Sequence, residues 1–238
     1  DLFFLQYDND LLLSLLRSND NSTAVASHEA RGLFAVDDIA ELITAARSGD
    51  ASDTRFPEYM YLFLDEYFAA DAPAAFAEDR LKSYFIEYAL KCKNPFVQAW
   101  FRLNRDINNV AAAITARKFS LDAQLYVVGD NDIAEALRTS GARDWGLASE
   151  FEQLADVQRI MDEPDLAERE RQSDLLRWQW LDENTFFSYF TVEQLFAFAE
   201  KLRIVERWTN MDKSKGQEKF RMLIGSLKSE VAVPDEFK

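Results

Sequence analysis

The stretch of sequence that decides the fold runs from Asn94 to Lys118 and reads NPFVQAWFRLNRDINNVAAAITARK. Asn94 can cap the free N–H groups of a first helical turn, and Pro95 suits the next position because its missing donor would have no partner there. Apolar side chains then recur at steps of four and three, which places them on one side of a helix. They are Phe96, Trp100, Leu103, Ile107, Val110 and Ile114. The pattern predicts a long helix with one buried face.

The composition favours helices along the whole chain. Its 238 residues include only seven glycines and five prolines, and 48% hydrophobic content with 13% aromatic is ample for a packed core. The β-favouring run at 122–130 is isolated, so we prefer a helix end or an extended connection there. We therefore predict an all-α fold. The expected helices are 1–18 with a potential break at Asp8–Asp10, 36–48, 57–70, 74–92, 94–118, 131–139, 147–161, 165–180, one from Phe186 or Thr191 to about Trp208, and 214–227.

The net charge of the chain excludes some classes of binding partner. The formal net charge is −15, so the surface repels nucleic acid and anionic lipid alike. Acidic side chains concentrate in residues 50–89 and basic ones in residues 200–228. Either segment could meet a partner of opposite charge, but solvated helix faces are the favoured interpretation. The single cysteine, Cys92, fits a reducing compartment, and no apolar run approaches the ~20 residues that span a bilayer.

Residue patterns for catalysis or metal binding are missing from the sequence. His28 is the only histidine and lacks the companions of a helical zinc or di-iron site, so we interpret it as a surface residue. Adjacent acids such as Asp65–Glu66, Asp162–Glu163 and Asp182–Glu183 point about 100° apart on a helix and rarely share a site. No phosphate-binding loop and no nucleophile elbow occurs. We expect no catalytic, cofactor-binding or metal-binding residue.

The aromatic block at residues 178–190 allows two interpretations. It could line a ligand pocket or a membrane-surface patch. Core packing is favoured, because aromatic rows at helical spacing generally pack helices together.

The long helix resembles a segment of a known family. Its run from Asn104 to Val110, continued by Ile114 and by Arg117–Lys118, is similar to a helix ending in the C subunit of V/A-type (vacuolar/archaeal-type) rotary ATPases, whose eukaryotic counterpart is the d subunit. The resemblance is to a divergent bacterial branch of that family and covers most of the chain. Four further motifs carry it: Leu2–Asp8, Trp180–Phe187, Glu206–Trp208 and Met211–Asp212.

The resemblance implies a fold and a role. The fold is a multi-helix bundle of helical domains like those of the ATPase C subunit, which we divide into an N-terminal region 1–122, with a truncated start, and a C-terminal region 123–238. The familiar members are longer, which puts a complete third domain in doubt. The candidate structural motif residues are Asp106, Asn109 and Arg117, which we expect to hold helix ends together inside one domain.

The implied role is that of a non-catalytic central-stalk component. Such a component links the rotor shaft to the membrane ring that carries protons or other ions, and it transmits torque between them. The implied location is cytoplasmic and peripheral to the inner membrane, without direct insertion, and the partners are shaft subunits and ring rather than nucleic acid. Two alternatives stay open: a soluble helical adaptor unrelated to the ATPase, and, more weakly, an enzyme that uses Asp/Glu pairs with Mg²⁺.

Overall fold

The computed structural model describes residues 1–17, 31–49, 55–69 and 77–211. These residues form α-helices, one short 3₁₀ turn and irregular connections, with no β-strand among them, so the predicted all-α, multi-helix fold is confirmed. The helices are α1 (Leu2–Arg17), α2 (Val36–Arg47), α3 (Glu58–Phe68), α4 (Ala77–Leu90), α5 (Pro95–Phe119), α6 (Asp132–Thr139), α7 (Leu154–Met161), α8 (Leu166–Thr185) and α9 (Val192–Thr209).

Helix α1 runs without a break through the polar residues at 8–10, where the sequence indicated a potential interruption. The side chain of Asp8 is fully buried and accepts hydrogen bonds from the backbone N–H groups of Leu33 and Phe34. Asn9 accepts a hydrogen bond of 2.7 Å from the Tyr59 hydroxyl. Because both polar groups have partners in the core, the helix can continue past them.

The first four helices pack against one another around aromatic and aliphatic side chains. α1 contacts α2 and α4, and α3 contacts α2 and α4. Tyr59 lies against the rings of Phe85 and Tyr88, and Phe85 meets Phe101 edge to face at 5.4 Å between ring centroids. The last contact joins this helix group to α5.

Helix α5 is the longest described element and packs on α4, α6 and α7. The Asn94 side chain accepts the N–H groups of Phe96 and Val97, and Pro95 occupies the first helical position, as the sequence predicts. At 25 residues the helix is about 37 Å long. It ends at Phe119, and the left-handed conformation of the next residue, Ser120, stops the helical hydrogen bonding.

The chain between α5 and α8 is less helical than the sequence suggested. A 3₁₀ turn, Ala123–Leu125, and an irregular connection occupy the β-favouring run. The helix expected from residue 147 begins only at Leu154, and residues 147–153 form turns. Trp145 and Gly146 both have positive φ, a conformation incompatible with a helix, so the chain enters successive turns that bury Leu147 and Phe151.

The last helices start at local signals. Asp165 caps α8 by accepting the N–H groups of Ala167 and Glu168, and α8 continues to Thr185, five residues past the predicted end at Trp180. The next helix, α9, begins at Val192, one residue after Thr191, the second of the two predicted starts.

Two compact units divide the chain between Phe196 and Ala197. Residues on both sides of position 122, where the sequence-based boundary lies, belong to the first unit. In the second unit the described part, residues 197–211, comprises the later turns of α9 and includes an ion pair between Arg203 and Glu200. The predicted helix 214–227 and His28 lie outside the described residues.

Candidate functional site: the polar half of helix α5

Polar side chains follow one another along the second half of α5, and several of them are buried. Arg105, Asp106 and Asn109 are all buried, with 7%, 6% and 1% of their surface exposed. A buried polar group destabilises a fold unless it is hydrogen-bonded, so each of these side chains requires a partner. Their partners come from within the helix and from the connection that follows it.

Asn109 binds the backbone of Val128. Its side-chain oxygen accepts the Val128 N–H at 2.9 Å, and its side-chain nitrogen donates to the Val128 carbonyl at 2.8 Å. One amide thus satisfies both backbone polar groups of a residue that belongs to no helix. The Arg138 guanidinium donates to the carbonyls on either side, those of Val127 and Gly129, at 2.8 Å each.

Asp106 forms a buried ion pair with its neighbour. The Arg105 Nε lies 2.9 Å from the Asp106 carboxylate, and both side chains are 8% exposed. Burial raises the pKa of Asp106, and hydrogen bonds and charge from Arg105, together with a hydrogen bond from Asn131, oppose that rise in part. Asn131 immediately precedes α6, so Asp106 connects α5 to the start of α6.

Arg117 holds the loop after α6. Its guanidinium donates to the carbonyl oxygens of Ala142, Arg143 and Ser140 at 3.0, 3.2 and 3.3 Å. The same group lies over the ring of Trp145, 4.1 Å from the ring centroid. A cation over an indole face is attracted by the ring quadrupole, so Arg117 fixes both the loop backbone and the buried Trp145.

Helix α8 is attached to α5 by Arg177. Its Nε donates to Asn104 at 2.7 Å and its Nη2 donates to Asn108 at 2.8 Å. Its remaining nitrogen donates to the Ser173 carbonyl within α8. One guanidinium therefore bridges the exposed edge of α5 and a turn of α8.

The three motif residues named from the sequence do not form a single site. Asp106 and Asn109 are one turn apart and contact the same connection, at residues 128–131. Arg117 lies eight residues further on, about 12 Å along the axis, and contacts a different loop. The sequence did not single out Arg105, Arg177 or Trp145, because a lone Arg or Trp has no pattern until its partner is known.

The side chains of this site hold the backbone of the connections that follow α5 and α6 in place. The carboxylate of Asp106 is occupied by its ion pair, and the amide of Asn109 is occupied at both ends. In the part of the chain that the structure describes, no group of three or more His, Cys, Asp and Glu side chains is placed to hold a metal ion. None of the described helices combines the length and the apolar character that crossing a membrane requires.

The aromatic block at 178–190 divides into two halves. Trp180 stacks on Phe96 with ring centroids 5.5 Å apart and also lies 5.8 Å from the Trp100 ring, so this half packs helices together as expected. The second half does not, and core packing was the wrong prediction for it. Between α8 and α9, four aromatic side chains are exposed: Phe186, Phe187, Tyr189 and Phe190. We call this segment, Phe186–Phe190, the aromatic turn.

Comparison with known proteins identifies a family but no named relative. No curated protein and no solved structure matches the chain. A family model described as "Protein of unknown function (DUF2764)" matches residues 1–231. The match covers nearly the whole sequence, including every helix described above, and the chain therefore belongs to the DUF2764 family.

Proposed function

We propose that this protein is a non-catalytic, helical coupling subunit, and that it acts in the central stalk of a V/A-type rotary ATPase between the rotor shaft and the ion-carrying membrane ring. The observation that carries the proposal concerns Asp106, Asn109 and Arg117. These residues carry the resemblance to the ATPase C subunit, and they are also the residues that fasten α5 to the chain that follows it.

Torque transmission requires a body that does not deform under load. α5 is about 37 Å long, and side chains attach it to other parts of the chain at several points along its length. Asn94 at its start donates to Glu193 of α9, Arg177 and Asn109 make contacts near its middle, and Arg117 makes contacts at its end. Polar contacts distributed along a helix resist bending of that helix, and they also resist sliding of the neighbouring segments along it. This arrangement suits a mechanical role better than one that depends on a mobile lid or loop.

The net negative charge of the chain is consistent with protein partners such as shaft and ring subunits. With a net charge of −15, the chain is repelled by nucleic acid and by an anionic bilayer surface. In the proposed role the protein lies on the cytoplasmic side and reaches the membrane only through the ring. ATP is bound and hydrolysed by other subunits, and the direction of coupling and the transported ion are properties of the complex.

Affinity purification tests the association. The full-length tagged protein is recovered from detergent-solubilised membranes of its source, and bound chains are identified by mass spectrometry. We expect catalytic head, shaft and ring subunits to be recovered together. Recovery of unrelated partners alone would overturn the rotary assignment, and so would the absence of ATPase genes from the source genome.

A second candidate is a helical adaptor with no ATPase partner, for which the exposed aromatic turn supplies a surface for interaction. The acidic segment 50–89 supports this candidate less well, because two of its described acids are paired within the chain. Glu66 pairs with Arg80, and Glu78 pairs with Lys82 and Arg17. The gene neighbourhood separates the candidates: adjacent genes for ATPase catalytic subunits favour the rotary role, and genomic isolation favours the adaptor.

A further inference from the structure

The aromatic turn is the most exposed apolar surface among the described residues of the first unit. Phe187 exposes 85% of its surface and Phe190 is fully exposed, and the adjacent Val192 and Leu195 of α9 are exposed as well. Single exposed apolar residues are ordinary, whereas a contiguous group of aromatic and aliphatic side chains marks a place of interaction.

The turn is held in a defined shape. The buried Thr185 donates its hydroxyl to the Leu181 carbonyl at 2.7 Å, and the Ser188 N–H donates to the Thr185 carbonyl at 2.9 Å. Phe186 and Phe187 meet edge to face, with ring centroids 4.8 Å apart. A surface ordered before binding loses little conformational entropy when a partner docks.

Phe190 provides a second, independent observation. Its φ is +57°, a left-handed conformation that costs a bulky side chain free energy. Such strain is found where a backbone conformation has a function, such as presenting a side chain to a ligand. Here the strained residue directs a phenyl ring into solvent, where the ring contributes nothing to the core.

The charges of this segment indicate what kind of surface fits it. Residues 178–199 contain three carboxylates, Asp182, Glu183 and Glu193, and no Lys, Arg or His. The pKa of Glu193 lies below its usual value, because its own backbone N–H and the Asn94 side chain donate to the carboxylate, so this group stays ionised. Along the chain, the apolar turn is therefore flanked by carboxylates and not by basic side chains, and we call these three carboxylates its acidic border.

We propose that the aromatic turn is a docking element that inserts into an apolar socket bordered by Lys and Arg on a partner protein. Each buried aromatic side chain contributes about 150–250 Å², so four of them account for roughly 600–1,000 Å², close to one side of a standard protein–protein interface. A second copy of this chain would bring acidic borders together, and an anionic bilayer would repel them. A basic border on the partner attracts them.

The proposal does not depend on the rotary assignment, because it names a surface chemistry that a shaft, ring or adaptor partner could present. If the affinity purification described above fails while the docking test succeeds, the protein is an adaptor. If the affinity purification succeeds and the docking test fails, the contacts with the ATPase lie elsewhere on the chain.

Photo-crosslinking in the source cells tests the docking element. The crosslinking amino acid p-benzoyl-phenylalanine replaces Phe187 in the full-length protein, and the crosslinked residues are mapped by mass spectrometry. Phe119, an exposed aromatic residue at the end of α5, serves as the matched control position. We expect crosslinks from position 187, but not from position 119, to an apolar segment of another protein flanked by Lys or Arg.

Two further variants make the result specific. Phe190→Ser should lower the crosslinking yield at least about tenfold if Phe190 is an anchor of the interface. Replacing Glu183 and Glu193 by Gln should also lower the yield, and, when the crosslinking is repeated in a lysate of the same cells, by more at low than at high salt. Crosslinks to lipid, to a second copy, to another part of the same chain, to an acidic surface, or to nothing would each overturn the proposal. Thermal melting of each variant confirms that it is folded.

Discussion

Asn109 and Val128 are joined by two hydrogen bonds that run in opposite directions, one from the backbone N–H to the amide oxygen and one from the amide nitrogen to the backbone carbonyl. Asn109 is 1% exposed, so its side-chain amide depends on Val128 rather than on solvent for these hydrogen bonds. The pair fixes the point at which the chain after α5 returns to the helix.

Asn109→Leu should therefore be strongly destabilising. It leaves the N–H and the carbonyl of Val128 without partners, which we expect to cost about 2–4 kcal/mol, or a decrease in melting temperature of roughly 5–15 °C. Asn108→Leu at the neighbouring exposed position should cost about 1 kcal/mol or less. Thermal unfolding of both variants is the measurement, and an unchanged melting temperature for Asn109→Leu would contradict the structural role.

Arg117→Lys should also destabilise the fold, although it preserves the charge. An ammonium group cannot donate to three carbonyls in the plane of a guanidinium while stacking on Trp145, so we expect a loss of about 1–2 kcal/mol in denaturant unfolding. Arg102→Lys is the matched control, because the exposed Arg102 donates to Gln98 within α5. Equal effects of the two substitutions would show that the contact with Trp145 contributes nothing.

Gly32 approaches Asp8 so closely that no side chain fits between them. A Cβ atom at position 32 would overlap the Asp8 carboxylate. Gly32→Ala should therefore displace the buried Asp8 and cost about 1–3 kcal/mol. Gly141→Ala is the control, since nothing lies within 4 Å of its Cβ position, and it should change stability by no more than about 1 kcal/mol. Equal stability of the two variants would argue against this close contact.

The Asp8 carboxyl should give stability a characteristic pH dependence. Burial raises its pKa above the ordinary value of 3.8, and the N–H groups of Leu33 and Phe34 offset this only in part. The folded state then retains the proton to higher pH than the unfolded state. The associated stability is fully present below pH 3.8 and is lost as pH rises through the folded pKa.

A comparison of wild type with Asp8→Asn isolates this effect. The unfolding free energy of wild type minus that of Asp8→Asn should decrease as pH rises from about 4 towards 7. Glu78→Gln should give a smaller change of opposite sign, because Lys82 and Arg17 lower the pKa of Glu78. Chemical denaturation across this pH range is the measurement, and a difference for Asp8→Asn that is constant or rises with pH would refute the account.

How much of the fold the sequence predicts depends on where the determining contacts lie. The start of α5 was predictable because Asn94, Pro95 and the groups they satisfy are within four residues of one another. The continuity of α1 was not, because Asp8 and Asn9 find partners 25 and 50 residues away. The late start of α7 was missed for the same reason, since the positive φ of Trp145 accompanies a distant contact with Arg117.

In the candidate site, too, local features could be predicted from the sequence and distant contacts could not. Asp106, Asn109 and Arg117 could be named from a family resemblance in the sequence of one helix, but their partners at Val128, Asn131 and Ser140–Arg143 could not. The aromatic turn was misinterpreted because periodicity does not report where a helix ends. Once α8 ends at Thr185, the aromatic residues that follow no longer share a face with Trp180.

The most direct test of the coupling role is ATP-driven ion pumping in inverted membrane vesicles from cells that lack this gene, with ATP hydrolysis measured in the same vesicles. If the protein transmits torque in a V/A-type ATPase, the vesicles should lose pumping while the catalytic head still hydrolyses ATP, and the wild-type gene should restore pumping. Pumping at the wild-type rate in the absence of the protein would contradict the account.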